Sequence, residues 1–153
     1  MIIPFSAKQS VHLNLIGFES PETANYKTDL NWLMVQLKVE CNKGRWEVID
    51  SFLTINEVQE IIGWFDKLSL GQEPQYRFLT FIEPNISFKL LNEPCEKNKA
   101  IRIKFDLECR PKKAKKQKEY YVDMFSDDAA LFAIKKGFEA ELEAFAKTMN
   151  NFF

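Results

Sequence analysis

Apolar and polar residues alternate along several stretches of the chain, and a period of two marks strands with one wetter face. Val11, Leu13 and Leu15 alternate with His12 and Asn14, and Leu33, Val35, Leu37 and Val39 with Met34, Gln36, Lys38 and Glu40. Asn42-Lys43-Gly44 then reads as a three-residue loop with glycine where positive φ is wanted. Arg45 to Ile49 resumes the alternation, so a β-hairpin is expected there. Ile101, Ile103, Phe105, Leu107 and Cys109 alternate with Arg102, Lys104, Asp106, Glu108 and Arg110 in the most regular pattern of the chain. They predict a strand whose charged face is in water, with Tyr120 to Phe125 as its return strand. Between Tyr76 and Leu91 two apolar runs flank Glu83-Pro84-Asn85. A two-residue turn at Pro84 and Asn85 would face Phe81 with Phe88 and Leu79 with Leu90, making a hairpin. An edge strand carrying Pro84 is the alternative.

Two segments switch to helical spacing. Thr54-Ile55-Asn56-Glu57 is a capping box, in which the Thr hydroxyl and the Glu carboxylate satisfy otherwise unpaired amides. Val58, Ile61, Ile62, Phe65 and Leu68 follow on one face, with Trp64 at its edge and Gly71 as the stop. Ser126-Asp127-Asp128 places a cap and two acids before Leu131, Ile134, Phe138, Leu142, Phe145 and Met149. Gly137 interrupts that stripe and suits a close approach to the sheet. The helices are expected over about 54–70 and 127–150. With hairpin-length connections between the strands, the order implies an α+β fold. It is a mainly antiparallel sheet of about six or seven strands with the two helices on one side. Residues 1–153 read as a single domain without internal repeat.

Composition supports a packed globule, since fourteen Phe, four Tyr and three Trp supply large side chains to bury. The three cysteines Cys41, Cys95 and Cys109 lie far apart, include no C-x-x-C pair and read as reduced thiols. The N-terminus lacks a basic, then apolar, leader pattern and no run is long enough to span a membrane, so the cytoplasm is the expected location.

Charge changes the picture more. The chain carries a formal −1, yet the one Arg and five Lys of segment 110–118 leave −7 for the remainder. An acidic body with one basic segment suggests cationic partners for the first and anionic ones for the second.

Candidate chemistry is sparse. His12 is the only histidine and has no Cys or acid near it in sequence to complete a nucleophile or ligand set. Nucleotide-binding and hydrolase motifs are missing, and Asp127, Asp128, Glu139, Glu141 and Glu143 suit a helix dipole and a solvated face. No catalytic, cofactor or metal residue is therefore assigned, and a binding protein is expected in place of an enzyme. Segment 110–118 reads as an exposed basic hairpin loop whose Arg110, Lys112, Lys113, Lys115, Lys116 and Lys118 offer contacts to anions, nucleic acid among them. Glu83 and Asn85, at a turn between aromatic-rich strands, are candidate partner contacts, although both side chains also suit fixing the turn itself.

Asn31-Trp32-Leu33, Trp46 to Asp50, Leu53-Thr54 with Glu57, Trp64-Phe65, and Phe81 to Phe88 with its aromatic, Glu-Pro-Asn, aromatic stretch together resemble the WapI-type immunity proteins, found beside wall-associated, contact-delivered bacterial toxins. The likeness covers about Val11 to Leu91 and leaves segment 110–118 outside it. It implies a cytosolic antitoxin without catalytic residues that binds the toxic C-terminal domain of a cognate toxin and blocks its active site. An acidic body would complement a basic nuclease.

Overall fold

The computed structural model describes residues 1–6, 8–19 and 32–150, the side chains of residues 2, 4–6, 149 and 150 excepted. Asn31 and the side chain of Met149, both used above, lie outside the described residues. In chain order the elements are β1 (Ile2–Ser6), β2 (Gln9–Phe18), β3 (Trp32–Cys41), β4 (Gly44–Thr54), α1 (Ile55–Ser69), β5 (Phe78–Leu79), β6 (Ile86–Leu90), β7 (Lys99–Phe105), β8 (Tyr120–Ser126) and α2 (Asp128–Asn150). The α+β class and the two helices match the sequence reading. The strands, however, divide between two antiparallel sheets, β1-β2-β3-β4 and β5-β6-β7-β8. Each sheet is a meander followed directly by a helix, so one topology occurs twice where the residues show no repeat.

The alternation in the sequence fixes which side of each sheet is dry. Val11, Leu13, Leu15, Leu33, Val35, Leu37 and Val39 are buried in the first sheet, and Phe88, Ile101, Ile103, Phe105, Val122 and Met124 in the second. With Val58, Ile61, Phe65 and Leu68 of α1 and Leu131, Ile134, Phe138 and Phe145 of α2 they form one core. Phe65 is its aromatic centre. Its ring meets Trp64 at 5.2 Å, Phe88 at 5.7 Å and Phe138 at 6.1 Å, so it joins α1 to the second sheet and to α2. Lys135 and Asp66 add an inter-helix ion pair at 2.8 Å beside it.

The helix signals are realised nearly as written. Thr54 caps α1, its hydroxyl accepting from the Glu57 amide while the Glu57 carboxylate accepts from the Thr54 amide. After Leu70, the Gly71 amide bonds the Leu68 carbonyl and the Gln72 amide the Lys67 carbonyl, a Schellman closure that Gly71 permits at φ +70°. Asp127 is the cap of α2, accepting from the Ala130 amide, whereas Ser126 still belongs to β8. Trp64 departs from the expected edge position. It is only 5% exposed, because the chain after α1 folds back over it and the Tyr76 carbonyl accepts its indole N–H at 2.7 Å.

Four other expectations are corrected. The β3–β4 loop has two residues, Asn42 and Lys43, since Cys41 pairs with Gly44, and Gly44 takes φ +126° inside the strand. The hairpin around Pro84 is wider than a two-residue turn: Leu79 pairs with Phe88 and Phe78 with Lys89, leaving Thr80 to Asn85 as the loop. Phe81 nevertheless touches Phe88, at 6.3 Å between rings. The strand from Ile101 ends at Phe105, because its neighbour β8 begins opposite it at Tyr120 and among the described residues no partner strand extends further. Leu107 turns to φ +50° and Leu107–Cys109 form a 3-10 turn. Finally, a side chain at Gly137 would meet the Met1 thioether, its Cε at 2.9 Å, so the close approach there is to Met1 and not to the sheet.

Candidate partner-binding site

Three segments converge beside β4: the loop ending in Asn85, the 3-10 turn and the basic segment 110–118. Asn85 is 2% exposed, and its side-chain amide donates to the Glu108 carboxylate at 2.9 Å while its carbonyl accepts from the Asp106 amide at 2.8 Å. The two places singled out in the sequence are thereby brought together. Their roles differ, since Asn85 is turned inward as a link between loops, whereas Ile82, Glu83 and Pro84 are exposed. Glu57 holds the loop from the other side, its second carboxylate oxygen accepting from the Ile82 amide at 2.9 Å.

Cys109 lies under this junction with no exposure. Burial pushes its thiol from 9.0 up to about 12; the Asn85 hydrogen bond opposes this, and Asp50, Glu108 and Asp106 reinforce it. The folded state therefore favours the protonated thiol. Stability from this preference is fully present below about pH 9 and is lost as pH rises through about 12, by up to about 1.4 kcal/mol per pH unit. Urea unfolding followed from about pH 9 to about pH 11 is expected to show that loss, and Cys109→Ala to flatten the slope relative to Cys95→Ala, whose thiol is exposed. Equal slopes in the two variants would reject the assignment.

The basic segment is organised by its own first residue. Arg110 donates to the carbonyls of Lys115 and Lys118, the second at 2.8 Å, and lies over the Tyr120 ring at 5.1 Å. Arg110 is thus spent on shaping the loop. Lys112, Lys113, Lys115, Lys116 and Lys118 are exposed, and none forms an ion pair among the described residues. Lys43, from the β3–β4 loop, bonds the Glu119 carbonyl at 2.6 Å and covers Tyr121, and the Trp46 indole donates to the Cys109 carbonyl at 2.9 Å. These contacts fix the segment beside β4.

Between them runs a groove of about 730 Å³, lined by Arg45 to Ile49 on one wall and by Glu108, Arg110, Pro111, Lys112 and Lys113 on the other. Lys112 and Lys113 belong to it, and Lys115, Lys116 and Lys118 do not. Reading the sequence alone missed Trp46 and Ile49. Their signal was present in the alternation of β4, where Ile49 is an apolar residue on the wet face and is 53% exposed. Among the described residues no group of three or more His, Cys, Asp or Glu is placed to hold a metal ion, and no helix is long and apolar enough to cross a membrane.

The described residues form an α+β protein whose surface carries a groove of mixed charged and apolar lining. A family model for the WapI-like immunity proteins matches residues 2–146, and the chain belongs to that family. Comparison with curated proteins finds no match. Among solved structures, the plant transcriptional regulator PBF-2 is 12% identical with a TM-score of 0.44, the match covering 100% of this chain and 88% of that one. WHY3 from Arabidopsis thaliana is 13% identical with a TM-score of 0.43, covering 96% and 92%. Likeness at that level bears on neither chemistry nor partners.

Proposed function

We propose that this immunity protein binds the toxic C-terminal domain of a cognate contact-delivered toxin in the cytoplasm of the producing cell and occludes its active site, with no catalysis of its own. The observation that carries the reading is the family match over residues 2–146. The charge of the chain outside segment 110–118, −7, favours a basic nuclease as that toxin, because opposite charge speeds association and penalises wrong partners.

Nucleic-acid binding through the basic segment is less favoured. Tyr120 is buried, and Tyr121 carries Lys43 and Arg102 against its ring at 4.1 and 3.9 Å, so neither ring is free to stack on a base. Co-expression with the toxic domain encoded beside it is expected to restore growth and to give a complex on gel filtration that weakens with salt. Absence of both rescue and complex would overturn the proposal.

A further inference from the structure

β4 is the last strand of its sheet, so among the described residues one side of it has no neighbouring strand. The loop Asn42–Lys43 closes on the Cys41–Gly44 pair, and the register runs without a slip from there to the Met34–Ser51 pair. In an antiparallel hairpin closed by two residues, the closing pair exchanges hydrogen bonds, and so does every second pair beyond it. Trp46, Val48 and Asp50 therefore bond to β3. The backbone N–H and C=O groups of Arg45, Glu47 and Ile49 point to the open edge. Such a row is a template for another strand. Here it runs along the groove, facing Pro111, Lys112 and Lys113.

We propose that the groove binds an extended acidic segment of a partner protein by strand addition to β4. Backbone groups of Arg45, Glu47 and Ile49 form the new ladder, Ile49 and Pro111 take up its apolar side chains, and Lys112 and Lys113 meet its carboxylates. Main-chain bonds supply affinity in this mode and side-chain contacts supply selectivity. A peptide suits the groove better than a nucleic acid does. The edge offers backbone donors and acceptors in strand spacing, and a phosphate chain, whose oxygens only accept, could not pair with its C=O groups. This deepens the toxin-binding reading and rests on it only for the identity of the partner.

Fluorescence anisotropy of the full chain with a labelled peptide alternating valine and aspartate tests it. Wild-type protein is expected to bind this peptide and not its valine–lysine counterpart. Affinity should fall about tenfold or more in K112E/K113E, which alters exposed side chains only, and equally in Ile49→Pro. Ile49→Pro removes an amide that serves no ladder bond and should melt near wild type, whereas Val48→Pro removes one that does. Failure of the wild type to bind, equal binding of the lysine peptide, retained affinity in either groove variant, or displacement of the peptide by oligouridylate would overturn the assignment. Co-expression separates the two readings. Growth protected by K112E/K113E and Ile49→Pro as well as by wild type removes the groove and keeps the immunity role, while peptide binding without protection by wild type does the reverse.

Discussion

Replacing Phe65 by Ala is expected to destabilise the protein by about 3–5 kcal/mol, the cost of removing a large aromatic from a site that cannot collapse around the loss. The ring is fully buried, and its three aromatic neighbours come from α1, β6 and α2, so none can move into the space without pulling its own element. Phe65→Leu should recover part of the loss. Urea midpoints at neutral pH measure both, and a Phe65→Ala cost below about 1 kcal/mol would show that the two sheets and two helices do not share one core. A loss of that size approaches the whole stability of an ordinary domain. Protection against a toxin should therefore fall with the folded population, although Phe65 touches no surface.

Glu57→Ala is expected to cost about 2–4 kcal/mol, large for a residue with no apolar role. Its carboxylate is buried and accepts from two amides, that of Thr54 at the start of α1 and that of Ile82 in the loop before β6. Removing it strands both donors and unties the helix from the loop that carries Glu83. Glu57→Gln keeps one carbonyl acceptor but turns an NH2 group toward the other amide, so it should fall between wild type and Ala. Hydrogen exchange at Ile82 is the specific readout. Unchanged protection there in Glu57→Ala would sink the argument, whatever happens to the global midpoint.

Local signals in the sequence located most of the framework. The capping box at Thr54, the strand alternation from Leu33 to Val39 and the stripe from Leu131 to Phe145 each act within a few residues, and each is found in the structure as written. What local patterns could not carry was pairing across distance. Leu107 and Cys109 continue a perfect alternation, yet β8 starts opposite Phe105 and strand geometry ends where the partner does. Trp64 looked marginal on a helical wheel because the chain that covers it, around Tyr76, lies outside the helix. The division into two sheets is the same kind of fact, since a meander of four strands reads alike whether or not a fifth strand joins it. For the site, Glu83 and Asn85 were legible as a turn, but only the structure assigns Asn85 to Glu108 and turns it inward. The groove was invisible because Arg45 to Ile49 and Pro111 to Lys113 lie far apart in the chain.

The repeated order of four strands and a helix also bears on how the chain is made. Every ladder of the first sheet pairs strands that are neighbours in sequence, and the last of them ends at Thr54. A chain emerging from the ribosome can thus complete that meander and wind α1 before the second half exists. What it cannot do is cover α1, because Phe88 and Phe138 have still to be synthesised. Through that interval the side of Phe65 that meets Phe88 and Phe138 stays open, so the nascent protein is expected to be most prone to aggregation while translation crosses its second half.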